Sequence, residues 1–312
     1  MHLYASRPHY LDHMLPIWDA LERPERPMVA RGLLDYPPAR ERGAVAVYGG
    51  RGPTLVAGWP DLYRARGLGY GPFVYMQHGA GQSYHGDPSS AGSHSYAGAP
   101  DHDDVALFIV PGPDPARRWR ERYPDAKVVE CGNTKPLPAR EGERGRVVAV
   151  TFHWPCAIIP EAGSAWREYR GALLDLAKRY QVLGHWHPRW GDTLRRWYAD
   201  HGIEPVASLE EVARRADLLV ADNTSAIFEF ADTGRPVLLM DSARYRRHVS
   251  HGLRFWDAAH VGLHVNDPTR LCESVHMALL DPPGVRWGRQ HALSMVYAPG
   301  GTRAAAEAIA AM

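Results

Sequence analysis

Short apolar runs, separated by polar, glycine-rich or proline-containing segments, recur along the whole chain. Leu3-Tyr4-Ala5, Met28-Val29-Ala30, Ala44 to Tyr48 and Thr54 to Gly58 read as strands, as do Phe73-Val74-Tyr75-Met76, Val105 to Val110 and Lys127 to Glu130. Runs this short and this uniformly apolar are the pattern of strands buried on both faces. Leu11, Met14, Leu15 and Trp18 fall at helical spacing and predict a helix over Tyr10 to Leu21. Pro115 to Tyr123 predicts another with an arginine face, and Trp59-Pro60-Asp61 reads as a turn.

Residues 136–145 carry Pro136, Pro138 and mixed charge, the composition of a linker. Beyond them Arg146 to Phe152, Gln181 to Gly184, Leu218 to Ala221, Val237 to Met240 and Val261 to Val265 read as strands. Trp166 to Tyr180, Thr193 to His201 and Pro268 to Leu280 read as helices, and Ser208-Leu209-Glu210-Glu211 has the spacing of a capping box. This alternation predicts an α/β protein of two Rossmann-like, doubly wound domains facing a cleft. The expected domains are residues 1–140 and 146–295, with a helix in 296–312 packing back on the first.

The most informative stretch runs from Asp217 to Asp241. A buried strand, Leu218 to Ala221, meets the polar cluster Asp222-Asn223-Thr224-Ser225. Ile227, Phe230 and Ala231 then form one apolar helix face, Gly234 and Pro236 stop the helix, and Val237 opens the next strand. Hydroxyls where a parallel strand hands over to a helix suit a phosphate. Glu229 lies one turn beyond Ser225 on the same face, within reach of a ribose. An ordinary capped crossover helix has the same pattern.

Composition narrows the class. The net charge of +1 gives no field for nucleic acid or an acidic membrane. Three widely spaced cysteines make neither a disulfide framework nor a metal-binding pair, which fits a reducing compartment. No window is apolar enough to span a membrane, and the first residues lack a signal pattern. A soluble, cytoplasmic protein is expected.

Gln77-His78-Gly79-Ala80-Gly81 follows a strand, so His78 stands at the edge where α/β sheets bind ligands. Gly79 and Gly81 let a substrate approach the backbone. His185-Trp186-His187-Pro188-Arg189 follows another strand. Two histidines at that spacing share a face and could contact phosphates or ligate a metal. Residues 82–103, with His85, Asp87, His94, His102 and Asp103, form a long polar loop without recognisable ligand spacing. Trp154 or Trp190 could stack on a base or sugar.

Taken in order, Gln77-His78-Gly79, His187-Pro188, and Asp222-Asn223-Thr224-Ser225 with Glu229 and Gly234-Arg235-Pro236 resemble the CDP-glycerol glycerophosphotransferase family, of the teichoic-acid-polymerase type. The resemblance spans Ala44 to Leu280 and implies a GT-B fold. It implies that His78 is a general base, that His187 contacts the donor phosphates, and that His185, Arg189, Asn223, Thr224, Ser225 and Glu229 belong to the donor site. No metal and no cofactor beyond a nucleotide-diphospho donor are implied. Gln77 stands where the family has Trp, His185 where it has Lys, and Asn223-Thr224 where it has Tyr-Ser; Gly132-Asn133-Thr134-Lys135 echoes its Gly-x-Pro-Arg segment loosely.

The expected function is therefore a metal-independent transferase moving a glycosyl or glycerophosphoryl group to a hydroxyl. The chain is short for a polymerase, which favours a single transfer. A glycan, lipid-linked glycan, protein or modified nucleic-acid base would each serve as acceptor. A UDP-sugar 2-epimerase and a non-catalytic nucleotide-sugar binder are the alternatives.

Overall fold

The computed structural model describes residues 1–21, 25–80, 102–143, 145–155, 164–242 and 261–312. They divide into two compact units, residues 1–135 with 294–312, and residues 136–293.

In the first unit β1 (His2–Ala5), α1 (Pro8–Asp19), β2 (Met28–Val29), α2 (Pro37–Glu41), β3 (Val45–Ala46), β4 (Thr54–Val56), α3 (Trp59–Gly67), β5 (Phe73–Met76), β6 (Val105–Val110), α4 (Pro113–Arg122) and β7 (Lys127–Glu130) follow one another. Among the described residues, the strands make one parallel sheet in the order β3-β2-β1-β4-β5-β6-β7. In the second unit come β8 (Val147–Phe152), α5 (Trp166–Ala177), β9 (Gln181–Trp186), α6 (Gly191–Asp200), β10 (Glu204–Pro205), α7 (Leu209–Arg215), β11 (Leu218–Ala221), α8 (Ala226–Ala231), β12 (Val237–Met240), β13 (Leu263–Val265) and α9 (Leu271–Leu279). Their sheet is also parallel, in the order β10-β9-β8-β11-β12-β13. α10 (Pro283–Val296) runs from the second unit's residues into the first's, and α11 (Gly301–Ala310) belongs to the first. Each sheet reverses its direction of growth once, between β1 and β4 and between β8 and β11. Such reversals open the crevices in which α/β proteins bind ligands.

Burial explains the strand composition. Every residue of β4, β5, β11 and β12 is buried, as parallel strands covered on both faces must be. The first core packs Leu3, Leu55 and Val74 with α1 and with Ala305, Ala308 and Ile309 of α11. Among the described residues no helix is long and apolar enough to cross a membrane.

Several elements differ from the sequence reading. Trp59-Pro60-Asp61 is not a turn but the start of α3, because proline fits the first turn of a helix as well as a bend. Only Val45 and Ala46 of the run Ala44–Tyr48 pair, since this strand is the sheet's edge. α4 is not a simple arginine face, because Arg118 is buried beside Asp114. β9 extends past Gly184 to Trp186, so His185 lies within the strand. The Ser208 half of the capping box forms: its Oγ accepts from the Glu211 N–H at 3.3 Å, while the Glu211 carboxylate pairs with Arg215.

Gly184 in β9 is where α6 presses closest. A methyl group there would meet the Tyr198 ring at 2.5 Å. Tyr198 is fully buried and donates to the His185 carbonyl at 3.1 Å, so it has nowhere to move. Gly184→Ala is expected to lower stability by about 1–3 kcal/mol, the cost of overpacking. Urea denaturation should show this as a lower midpoint with an unchanged slope.

Candidate functional site

In the second unit the site is built where β8, β9 and β11 end. Asp222 leaves β11 buried and reaches across the sheet's reversal point. One carboxylate oxygen accepts from the His153 N–H at 2.7 Å, just after β8. The other accepts from the Ala165 N–H at 3.0 Å and the Ser164 hydroxyl at 3.2 Å, at the start of α5. Asp222 therefore does not cap its own helix, as the sequence suggested; it ties two strand ends and a helix start together. Ser225 is the first flanking residue of α8 but caps it with no side-chain hydrogen bond. Thr224 Oγ1 accepts from the Ala226 N–H at 3.4 Å instead. α8 has six residues, all buried, rather than one apolar face, because it is packed on every side. Its dipole is correspondingly small. Glu229 and Asn223 are buried, and Ser225 is half-buried.

His187 follows β9 in extended conformation, as the residue before a proline must. Its Nδ1 accepts from the Arg189 N–H at 3.2 Å. A neutral imidazole that accepts at Nδ1 carries its hydrogen on Nε2, so His187 presents a donor there. The ring packs on His153 at 5.2 Å and lies 6.3 Å from Trp154. The Arg189 guanidinium sits over the Trp154 ring at 4.8 Å. His153, Trp154, His187 and Arg189 thus form one cluster beside Asp222. His153 was not among the residues singled out by sequence; it directly follows an apolar strand but lacks the glycines that mark the turn at His78. His185 keeps different company: it is buried against the Thr151 hydroxyl at 2.8 Å.

In the first unit His78 follows β5, and its Nδ1 bonds the Ala57 carbonyl, just after β4. A carbonyl only accepts, so Nδ1 carries the hydrogen, and in the neutral ring the lone pair lies on Nε2. Tyr10 packs on the His78 ring at 4.5 Å and His9 at 5.7 Å, both from the first turn of α1. Gly79 is buried with φ of 74°, a backbone state suited to glycine. Gly81, His85, Asp87 and His94 lie outside the described residues. His102 is buried among Tyr75, Phe108 and Trp119, in the aromatic core of this unit. Among the described residues no group of three or more His, Cys, Asp or Glu side chains is arranged to hold a metal ion.

No protein-family model matches the chain, and no curated protein matches it in sequence. Solved structures do match. The wall teichoic acid polymerase TagF, in a variant soaked with CDPG, aligns with a TM-score of 0.62 at 10% identity, over 98% of this chain and 86% of that one. The calicheamicin glycosyltransferase CalG4 aligns with 0.61 at 13% identity, over 99% and 97%. The UDP-GlcNAc 2-epimerase of Neisseria meningitidis, bound to UDP-GlcNAc, aligns with 0.59 at 13%, over 99% and 98%. The fold is GT-B-like. At these identities the likeness establishes the architecture and leaves the chemistry to the side chains.

Asp222 supports the whole second cluster. Asp222→Ala leaves the buried N–H groups of His153 and Ala165 unpaired, at about 1–3 kcal/mol each. A loss of about 2–4 kcal/mol in urea denaturation is expected, with the His153 and His187 ring signals shifting together in NMR spectra.

Proposed function

We propose that this protein is a transferase that moves a glycosyl or glycerophosphoryl group from a nucleotide-diphospho donor to a hydroxyl. The observation that carries the reading is the pair of opposite histidine tautomers. His78 has its lone pair on Nε2, the form a general base needs. His187 has its hydrogen on Nε2, the form that donates to a phosphate oxygen.

In this reading His78 Nε2 takes the proton of the acceptor hydroxyl as its oxygen bonds to the transferred group. The electron pair of the broken bond leaves with the nucleotide: a diphosphate if a glycosyl group moves, a monophosphate if glycerophosphoryl moves. His187, Arg189 and the hydroxyls of Thr224 and Ser225 stabilise that leaving charge. His153, missed by sequence, joins them through its contact with His187. Trp154 offers a face for the nucleobase, and Glu229 a carboxylate for the ribose hydroxyls. His185, held by Thr151, orients the strand end. Gly79 lets the acceptor approach the backbone beside His78. Side chains hold the phosphates without a bound metal, and no cofactor beyond the donor takes part. The UDP-GlcNAc-bound and CDPG-soaked neighbours in fold support a nucleotide donor.

Three outcomes test this. The double substitution Thr224→Ala and Ser225→Ala should weaken UDP or CDP binding by about 1–3 kcal/mol in calorimetry, the loss of charge-assisted hydrogen bonds. Unchanged affinity would remove the phosphates from this strand end. His78→Ala should cut turnover about a hundredfold or more while leaving donor affinity nearly intact, and EDTA should leave turnover of the parent unchanged. Conversion of a UDP-sugar with no acceptor present would instead identify an epimerase. Tight donor binding with no turnover over a broad acceptor panel would identify a binder.

A further inference from the structure

Asp61 stands in the first turn of α3 with no solvent exposure at all. One of its oxygens accepts from the Ser6 N–H at 2.9 Å. Ser6 follows β1, and α3 follows β4, so this bond spans the reversal point of the first sheet. The other oxygen has no hydrogen-bond partner, nor has the buried Tyr4 hydroxyl nearby. A buried carboxylate with half its capacity unused costs stability, and apolar or amide side chains would fill the space at less cost.

What the bond achieves is visible one turn further on. Arg7, next to Ser6, precedes α1, whose first turn carries His9 and Tyr10. Those two rings are the ones packed on His78. Gly58, which precedes α3, lies against the same Tyr10 ring: a methyl there would meet it at 2.7 Å. Ala57, whose carbonyl holds His78 Nδ1, is the residue before it. The starts of α1 and α3 and the end of β5 therefore form one interlocked group.

We propose that Asp61 is a positioning residue for His78: by holding the Ser6 amide it fixes the start of α1, and with it His9 and Tyr10, against the imidazole. The role rests on the reading of His78 as a reacting group, but its test needs no turnover.

The electrostatics make the device sensitive to pH. Burial pushes the Asp61 carboxyl up to about 6, against the lowering effects of the Ser6 hydrogen bonds and of Arg7 and Arg64. Burial first, and then the Asp61 charge, push the Tyr4 hydroxyl up to about 12. The groups that face Asp61 are thus Tyr4 from β1, Ser6 and Arg7 from the turn before α1, and Arg64 from α3. Because the folded value lies above the usual one near 3.8, this group favours folding fully below about 4, and that contribution is lost as pH rises through about 6.

The experiment compares the parent with Asp61→Asn, which keeps an acceptor oxygen and removes the charge, and with Asp61→Ser, which shortens the reach. The Ser6 amide signal and the His9, Tyr10 and His78 ring signals are followed by NMR from pH 4 to 8. In the parent the Ser6 amide signal should show an inflection near pH 6 that Asp61→Asn abolishes and that the Tyr10 ring shares, and Asp61→Ser should displace the Tyr10, His9 and His78 ring signals at every pH. Asp61→Asn should also melt about 2–4 °C higher than the parent at pH 8, with the difference vanishing by pH 4. A Tyr10 ring signal that titrates identically in parent and variants would overturn the proposal. So would an Asp61→Asn variant less stable than the parent at pH 8. If the rings respond as expected but His78→Ala turns over normally, the transferase reading fails and the positioning role of Asp61 stands.

Discussion

A carboxylate taken out of water must find donors, and in this protein that requirement organises both units. Asp222 finds three donors, from the end of β8 and the start of α5. Asp61 finds the Ser6 amide beyond the end of β1. Each bond crosses the point where its sheet reverses. At that point adjacent loops run to opposite sides of the sheet, and backbone hydrogen bonding between strands has ended. A side chain must join what the ladder no longer does. The same acid that closes the scaffold therefore also sets the places of the histidines beside it.

The two histidine environments follow from what each strand end offers. His78 meets a backbone carbonyl and must donate to it. His187 meets the amide of Arg189 and must accept from it. Neither choice needs a charged neighbour. Tautomers fixed by the main chain are hard to disturb by surface substitution, so two rings of the same residue type can be held to different chemistry in one protein.

Much of this was legible in the sequence. The strands Phe73–Met76, Val105–Val110, Leu218–Ala221 and Val237–Met240 are where their apolar runs place them, because a doubly covered parallel strand tolerates little else, and the edge strand Lys127–Glu130 is where its Val128-Val129 pair places it. His78, His187 and Thr224 were visible because each follows such a run. α3 was hidden, since a proline and an aspartate at a helix start look like a bend. Asp222 was visible but misassigned: a helix-capping pattern is local, whereas its partners lie 57 to 69 residues away. His153 was missed because a single histidine after a strand has no second residue in sequence to mark it. Its neighbours His187 and Trp154 come together only once β8 and β9 are paired.

The route of the chain has a consequence for how the molecule is made. The second unit is one continuous stretch, residues 136–293, whereas the first is closed by residues 294–312. Ala305, Ala308 and Ile309 complete a core whose other walls are Leu3, Leu11 and Leu55. Those early segments emerge from the ribosome with part of their apolar surface still uncovered. They wait while an entire second unit is synthesised and can fold ahead of them. The first core can therefore close fully only after every residue of the second unit has been made.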